Sequence, residues 1–312
     1  AKEVQVDEGD SFELLAASGV ESAGALTLLP NNVTFPDTGA VELSKAELSN
    51  RIRQLPSAPM NSREGSRMSL AGAQHKMLII KQGDSLFEGN AGTPSTHILK
   101  PDHSDPDQYY HTTCNEWFVM KLAKQMRLDV PNVELFYTPE PDYVVKRFDR
   151  FGEFPNQERR HIIDACQMIG LSHTLKYKFS TVNTYIEVIG KVRLKAQASL
   201  KLFQWVVFNC LVGNGDAHLK NISFYYSGRG AQLTPFYDLL STIIYVGDKK
   251  RVLAEKLSVP INEKHHFEEL SKDDLIAFGK QLGVSKSVAS RQIEFMTSRI
   301  LEAADRLIID AE

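Results

Sequence analysis

An aspartate and an asparagine five positions apart, Asp216 and Asn221, follow the apolar run WVVFNCLV in the stretch VGNGDAHLKNISF (212–224). The pair has the makings of a phosphoryl-transfer site. Such chemistry needs a carboxylate to orient the attacking hydroxyl or accept its proton, and oxygen ligands that hold Mg²⁺ against the phosphates. Asp216 is the candidate base and Asn221 the candidate metal ligand, with His218 and Lys220 between them at a spacing that could lend positive charge. The same residues also make an ordinary Asn-Gly-Asp turn between two buried elements, and spacing alone does not choose.

Three further segments carry candidates. In LTPFYDLLST (233–242), Asp238 follows a short strand, and a hairpin from ISFYY to LTPFY would return it toward Asn221. A lone Asp caps a helix equally well. In SRMSLAGAQHKMLII (66–80), small residues precede a strand, Gly72 lets backbone approach a ligand, and Lys76 adds a cation. The segment matches neither the Walker A nor the GxGxxG pattern, and a simple turn explains it too. In THILKP (96–101), Lys100 ends an apolar strand, where it could grip phosphate or simply be solvated. Glu116 is either its ion-pair partner or half of a capping box with Thr113.

These residues need a scaffold. Residues 10–29 read as a short helix (FELLAAS), a Gly turn and a strand (GALTLLP). Ser44 begins a helix with Leu48, Ile52 and Leu55 on one face. Residues 56–66 form a Pro- and Ser-rich loop. KMLIIK (76–81), SLFEG (85–89) and THILK (96–100) are strands of a meander, and VELFY (133–137) and YVVKRF (143–148) are two more. A helix runs from Thr113 to Leu128. After residue 150 the pattern turns helical, over 158–171, 183–193, 198–212, 271–283 and 285–309. Ser271 caps the fourth of these, Leu275, Phe278 and Leu282 form its face, and Gly283 stops it. The implied architecture is α+β, with a sheet-bearing first half and a helical second half joined near 146–150.

The bulk properties narrow the field. The 312 residues are 42% hydrophobic and 24% charged, ordinary for a globular chain. A net charge of −3 gives no general attraction to nucleic acid or acidic membranes. Cys114, Cys166 and Cys210 lack any zinc spacing and read as buried free thiols suited to a reducing cytoplasm. No apolar run approaches the ~20 residues of a membrane span. There is no repeat and no charged-then-apolar leader.

The order Gly loop, Lys, Asp-x₄-Asn, Asp is that of protein kinases, although the words HRD, DFG and APE are absent. Taken together, SLAGAQHK, THILKP, NEWFVMKLAK, VKRFDR, GNGDAHLKN and LTPFYDLLST resemble the HipA-type serine/threonine kinases of bacterial toxin–antitoxin systems, from about residue 20 to the C-terminus. The resemblance implies a two-lobed kinase-like fold: residues 1–55 as a remnant of the family's N-terminal subdomain, 56–148 as the N-lobe, and 149–312 as the helical C-lobe. It implies ATP and Mg²⁺ as cofactors. The loop Ala71, Gly72, Ala73, Gln74 and His75 would cover the phosphates, with His75 departing from the family's usual Glu. Ser69 would be the autophosphorylated serine that silences the enzyme, with Ser66 as an alternative acceptor. Lys100 and Lys76 would contact phosphate, the backbone around Lys146 and Phe148 would meet adenine, and Asp149 would sit by the ribose. Asp216 matches the catalytic base, and Asn221 and Asp238 the metal ligands.

The chain is shorter than full-size members, and FELLAASGVESAGALTLLP resembles the tail of their N-terminal subdomain. This points to the compact HipT branch, the other reading being a piece of a longer member. In that branch a separate small protein supplies the missing subdomain, and a helix-turn-helix antitoxin binds operator DNA, so that DNA is reached only indirectly. The implied substrate is a serine of an aminoacyl-tRNA synthetase, and the implied setting is bacterial persistence in the cytoplasm of the producing cell or of a recipient. Two rivals stand beside this: a small-molecule phosphotransferase of kinase-like fold, and an inert pseudokinase serving as a corepressor.

Overall fold

The computed structural model describes residues 10, 12–13, 19, 21–29, 31, 34, 37–55, 68–69, 75–90, 92–245 and 256–309. The chain forms two compact units, residues 1–114 with 132–162, and residues 115–131 with 163–312.

The first unit is built on strands β1 (Glu21–Ser22), β2 (Ala40–Leu43), β3 (Met68–Ser69), β4 (Met77–Gln82), β5 (Ser85–Gly89), β6 (His97–Lys100), β7 (Val133–Tyr137), β8 (Pro141–Lys146), β9 (Arg150–Phe151) and β10 (Glu158–Arg159). Six of them form an antiparallel sheet in the order β2-β5-β4-β6-β8-β7. The expected meander is present as β4, β5 and β6. Gly83, at φ +56°, turns β4 into β5 within a two-residue hairpin. Helix α1 (Lys45–Arg53) starts where Ser44 predicts, its hydroxyl accepting the Glu47 N–H. Leu48 is fully buried, and Ile52 and Leu55 pack with it on Met77, Ile79, Leu99 and Val144. A separate parallel pair joins β1 to β3, Glu21 opposite Met68 and Ser22 opposite Ser69.

In the second unit, helix α2 (Thr112–Gln125) enters at residue 115, followed by β11 (Ile162–Asp164), α3 (Ala165–Met168), α4 (Val182–Lys191), α5 (Lys195–Val212), the hairpin β12 (Ser223–Ser227) and β13 (Gly230–Leu233), the hairpin β14 (Lys256–Ile261) and β15 (Lys264–His266), α6 (Lys272–Gln281) and α7 (Lys286–Ile309). Helix α5 starts with an exposed polar turn and becomes almost wholly buried over residues 202–209, where it is central. Leu202, Phe203, Trp205, Val206, Val207 and Phe208 are all buried. Trp205 stacks on Phe236 with centroids 5.7 Å apart. Gly279 of α6 lies so close to α5 that a Cβ there would come within 2.9 Å of Phe203. Ser271 caps α6 in a full capping box with Asp274, and Gly283 ends the turn at φ +83°.

Several expectations are corrected. Residues 158–171 are not one helix. They are β10, β11 and the four-residue α3, which begins only where Asp164 and Gln167 form a capping box. LTPFY is not a strand beyond Leu233, because Thr234 turns its hydroxyl back onto the Ser223 carbonyl and Pro235 offers no N–H. GALTLLP is not a strand either among its described residues. Gly24 sits at φ +83° and gives its N–H to Asp149, and Leu26 is exposed. Helix α2 ends at Gln125 rather than Leu128, with Arg127 in the left-handed region at φ +64°. Its start is capped by Asp102, which accepts the Thr113 N–H at 2.9 Å. Of FELLAAS, the described Phe12 and Glu13 are helical, and the loop 56–66 lies outside the described residues.

Candidate active site

The loop after α5 is shaped by what it must turn around. Gly213 caps the helix at φ +66°, and a Cβ there would stand 2.6 Å from Ile243. Its carbonyl accepts three hydrogen bonds, from the N–H groups of Thr242 and Ile243 and from the Thr242 hydroxyl. The Thr242 hydroxyl in turn accepts the Gly215 N–H at 2.8 Å. A ladder of buried amides continues the turn. Asn209 donates to the Trp205 carbonyl, Asn214 donates to Asn209 Oδ1, and Asn214 Oδ1 accepts the Asp216 N–H. On the other side of the peptide, Asn221 Nδ2 donates to the Asp216 carbonyl at 3.1 Å. Asp216 therefore has its backbone held on both sides by asparagine side chains, while its carboxylate is 46% exposed and open to a reactant.

His218 ties the predicted residues together. Its imidazole lies 3.8 Å from Asp216 Oδ1, its carbonyl accepts the Asn221 N–H, and the Asp238 charge acts on it. Tyr237 anchors the stretch before Asp238, donating to the Lys220 carbonyl at 2.8 Å. Asp238 itself is half-buried in the left-handed region at φ +53°. Within the second unit Asp216 and Asn221 are thus tied into one loop, with the buried His218 imidazole beside Asp216 and within reach of the Asp238 charge.

The structure corrects the charge expected of this loop. Burial pushes the His218 imidazole below its ordinary value, against the opposing pull of Asp216. At neutral pH it is an uncharged wall. Lys220 does not face Asp216, since its ammonium is paired with Asp164 Oδ2 at 2.7 Å, at the N-terminus of α3.

The other predicted residues belong to the first unit, except Glu116, which is buried in α2 of the second. Lys100 ends β6, only 6% exposed, its ammonium 5.4 Å from the Tyr143 ring. Lys76 directly precedes β4, with His75 before it, and Ser69 lies in β3. Ser66, Ala71, Gly72, Ala73 and Gln74 lie outside the described residues. Lys146 is exposed, and the N–H groups of Lys146 and Arg147 are given to Asn132 and Thr96; Phe148 is half-buried.

Asp149 is not placed to meet a ribose. Arg147 takes both of its oxygens, at 2.9 and 2.7 Å, and Arg150 and the Gly24 N–H share Oδ2. Glu21 completes this cluster, bonded to Arg147, Arg150 and Arg159 at 3.1, 2.9 and 2.6 Å. The motif RFDR is a buried ionic knot fastening residues 21–24 to the sheet.

Sequence reasoning missed Thr242, Asn214, Asn115 and Tyr177. Asn115 clasps the Ser241 peptide with both ends of its amide, at 2.8 and 3.0 Å. Threonine and asparagine have no periodic signature; Asn115, Asn214 and Thr242 stood inside quoted motifs without a role assigned to them, and Tyr177 stood outside all of them. Thr242→Val keeps the side-chain shape and removes the hydroxyl. It is expected to lower stability by about 1–2 kcal/mol and to slow turnover about tenfold through a looser loop, measured by urea denaturation and steady-state rates.

The donor set suits a hard divalent ion. With Nδ2 of Asn221 engaged, its Oδ1 is the end that would face an ion, and Asp238 would be the carboxylate to join it. Among the described residues no group of three or more His, Cys, Asp or Glu could hold a metal by itself. An amide and a carboxylate match Mg²⁺ that takes its remaining ligands from phosphates and water.

A family model described as the HipA-like C-terminal domain matches residues 68–306. The chain is 30% identical over 323 residues to the serine/threonine-protein kinase toxin HipA of Shewanella oneidensis, covering 97% of this chain and 72% of that one. It is 34% identical to Y4mE of Sinorhizobium fredii, with coverages of 99% and 75%. The solved structure of the Shewanella oneidensis HipA, HipB and operator DNA complex superposes with a TM-score of 0.82 at 29% identity, covering 99% of this chain and 74% of that chain.

Proposed function

The chain belongs to the HipA-like serine/threonine-protein kinase toxins, and from that premise we propose that it transfers the γ-phosphate of ATP to a serine of a protein needed for translation, an aminoacyl-tRNA synthetase being the favoured class. Asp216 receives the serine proton as the serine oxygen bonds to the γ-phosphorus. The bond from that phosphorus to the β–γ bridging oxygen breaks, and ADP leaves with the electron pair. Lys100 contacts phosphate. Asn221 and Asp238 hold Mg²⁺, which when bound neutralises charge on the phosphate oxygens. The observation that supports this reading is the exposed Asp216 carboxylate on a loop whose backbone Asn214 and Asn221 hold in place.

The kinase is the toxin of a toxin–antitoxin pair, as the Shewanella oneidensis complex of HipA, HipB and operator DNA is named, and a helix-turn-helix protein is the antitoxin we propose for it. The compact HipT branch, with a small separate partner, is the finer placement we favour. Phosphorylation of Ser69, with Ser66 as the alternative, is proposed to silence the enzyme by adding about −1.5 to −2 charges beside the nucleotide. No helix among the described residues is long and apolar enough to cross a membrane.

A bacterial lysate incubated with γ-labelled ATP and the wild-type chain or Asp216→Asn tests the reading. Phosphoserine on a synthetase, found by peptide mass spectrometry only with wild type, is the expected result. Label confined to small molecules would replace it with a small-molecule phosphotransferase. Nucleotide binding without transfer to anything would replace it with a corepressor role.

A further inference from the structure

The stretch SHTLKYKFST (172–181) between α3 and α4 entered no reading of the sequence. Its turns are closed by its own backbone, with the Phe179 N–H on the Leu175 carbonyl and the Ser180 N–H on the Tyr177 carbonyl. These turns carry Tyr177 to Asp216, where the phenol donates a short hydrogen bond to Oδ1. The ring stands edge-on to His218, centroids 4.9 Å apart at 75°, and the Lys176 ammonium lies 4.9 Å from its centre.

We propose that Tyr177 is a positioning residue for phosphate transfer: its hydroxyl fixes the Asp216 carboxylate through Oδ1 and so presents Oδ2 to the incoming serine hydroxyl. This rests on the reading of Asp216 as the base. Tyr177 suits the task because it remains a donor. Burial first, and then the bond and charge of Asp216, push its phenol above the ordinary tyrosine value. His218 suits the supporting part, being 5% exposed with its ring edge-on to the phenol. Oδ2 accepts no hydrogen bond among the described residues, and the side chain as a whole is 46% exposed.

Without the phenol the carboxylate can turn about its Cβ–Cγ bond, exchange its oxygens and take up water at both. The attacking hydroxyl then meets its acceptor in the right orientation less often, which lowers kcat and leaves nucleotide binding alone. Backbone position is not at stake, since the two asparagines hold it independently of Tyr177.

The test is Tyr177→Phe, which keeps the ring against His218 and removes only the hydroxyl. Initial rates of label transfer from MgATP to lysate protein are measured across ATP concentrations, with melting temperature alongside. The expected result is a kcat about tenfold lower, with KM for MgATP changed by less than about twofold and the melting temperature retained. A kcat within about twofold of wild type overturns the inference, and so does a rise in kcat, which would make the phenol an obstruction. A parallel rise in KM or loss of melting temperature assigns Tyr177 a merely structural part and overturns it as well. Asp216→Asn runs in the same assay. If that variant keeps its activity, the reading of the base fails. If it is inactive while Tyr177→Phe behaves as wild type, the inference about Tyr177 fails alone.

Discussion

Asp216→Asn is expected to fold normally and to transfer phosphate about 10²–10⁴-fold more slowly than wild type, the usual contribution of a group that takes a proton in the transition state. That corresponds to about 3–5 kcal/mol of barrier. The substitution removes one charge and almost no volume. Its amide oxygen can still accept from Tyr177, and the backbone bonds to Asn214 Oδ1 and from Asn221 Nδ2 do not involve the side chain. The cost therefore falls on chemistry. Single-turnover rates, with nucleotide affinity and melting temperature measured alongside, check this. Retention of more than a tenth of the wild-type rate would move the base elsewhere.

The second large effect is on stability. Asp149→Ala is expected to cost about 3–5 kcal/mol at neutral pH, the usual penalty for stranding buried partners of an ionic cluster. The guanidinium groups of Arg147, Arg150 and Arg159 meet the carboxylates of Asp149 and Glu21 alongside neutral oxygens of Ser22, Gly24, Ser95 and Thr27. Removing Asp149 leaves three guanidinium groups against one carboxylate. Burial alone would raise the Asp149 carboxyl, but the charge and hydrogen bonds of Arg147, then Arg150 and the Gly24 N–H, hold it below its ordinary value. A lowered carboxylate stabilises the fold above the unfolded value of about 4, and the gain disappears as pH falls through the folded value. The gap between wild type and Asp149→Ala should thus be full at pH 7 and shrink in acid. Urea denaturation at several pH values reads it, and a gap that widens in acid would contradict the ionic account.

The sequence was most legible where one element meets one physical demand. Alternating apolar residues with Gly at the turns gave β4 and β5 nearly to the residue, and Ser44 and Ser271 gave two helix starts. It was least legible where periods coincide. Ile162, Ile163, Ala165, Cys166 and Ile169 mimic a helical stripe, yet the β-branched pair is extended and the helix waits for Asp164. In the candidate site, the Asp-x₄-Asn spacing drew attention to the right loop. It could not reveal that Lys220 would pair with Asp164, that His218 would be neutral, or that Tyr177 would arrive from 39 positions away. Those facts depend on burial and on long-range contact, which no local pattern encodes. Asp149 was misread for a related reason, since a carboxylate beside two arginines looks the same whether it awaits a ligand or is already consumed.

Asn214–Gly215 is also the bond at which this polypeptide would age. In a loose chain the nitrogen of a glycine attacks the side-chain carbonyl of the preceding asparagine, ammonia departs to leave a succinimide, and water opens that ring to aspartate or isoaspartate. Here that nitrogen is committed to the Thr242 hydroxyl, and the asparagine amide is spoken for at both ends. The native state preserves its own most perishable linkage. Each molecule should therefore carry, as a mass change at position 214, a chemical record of the time it has spent unfolded.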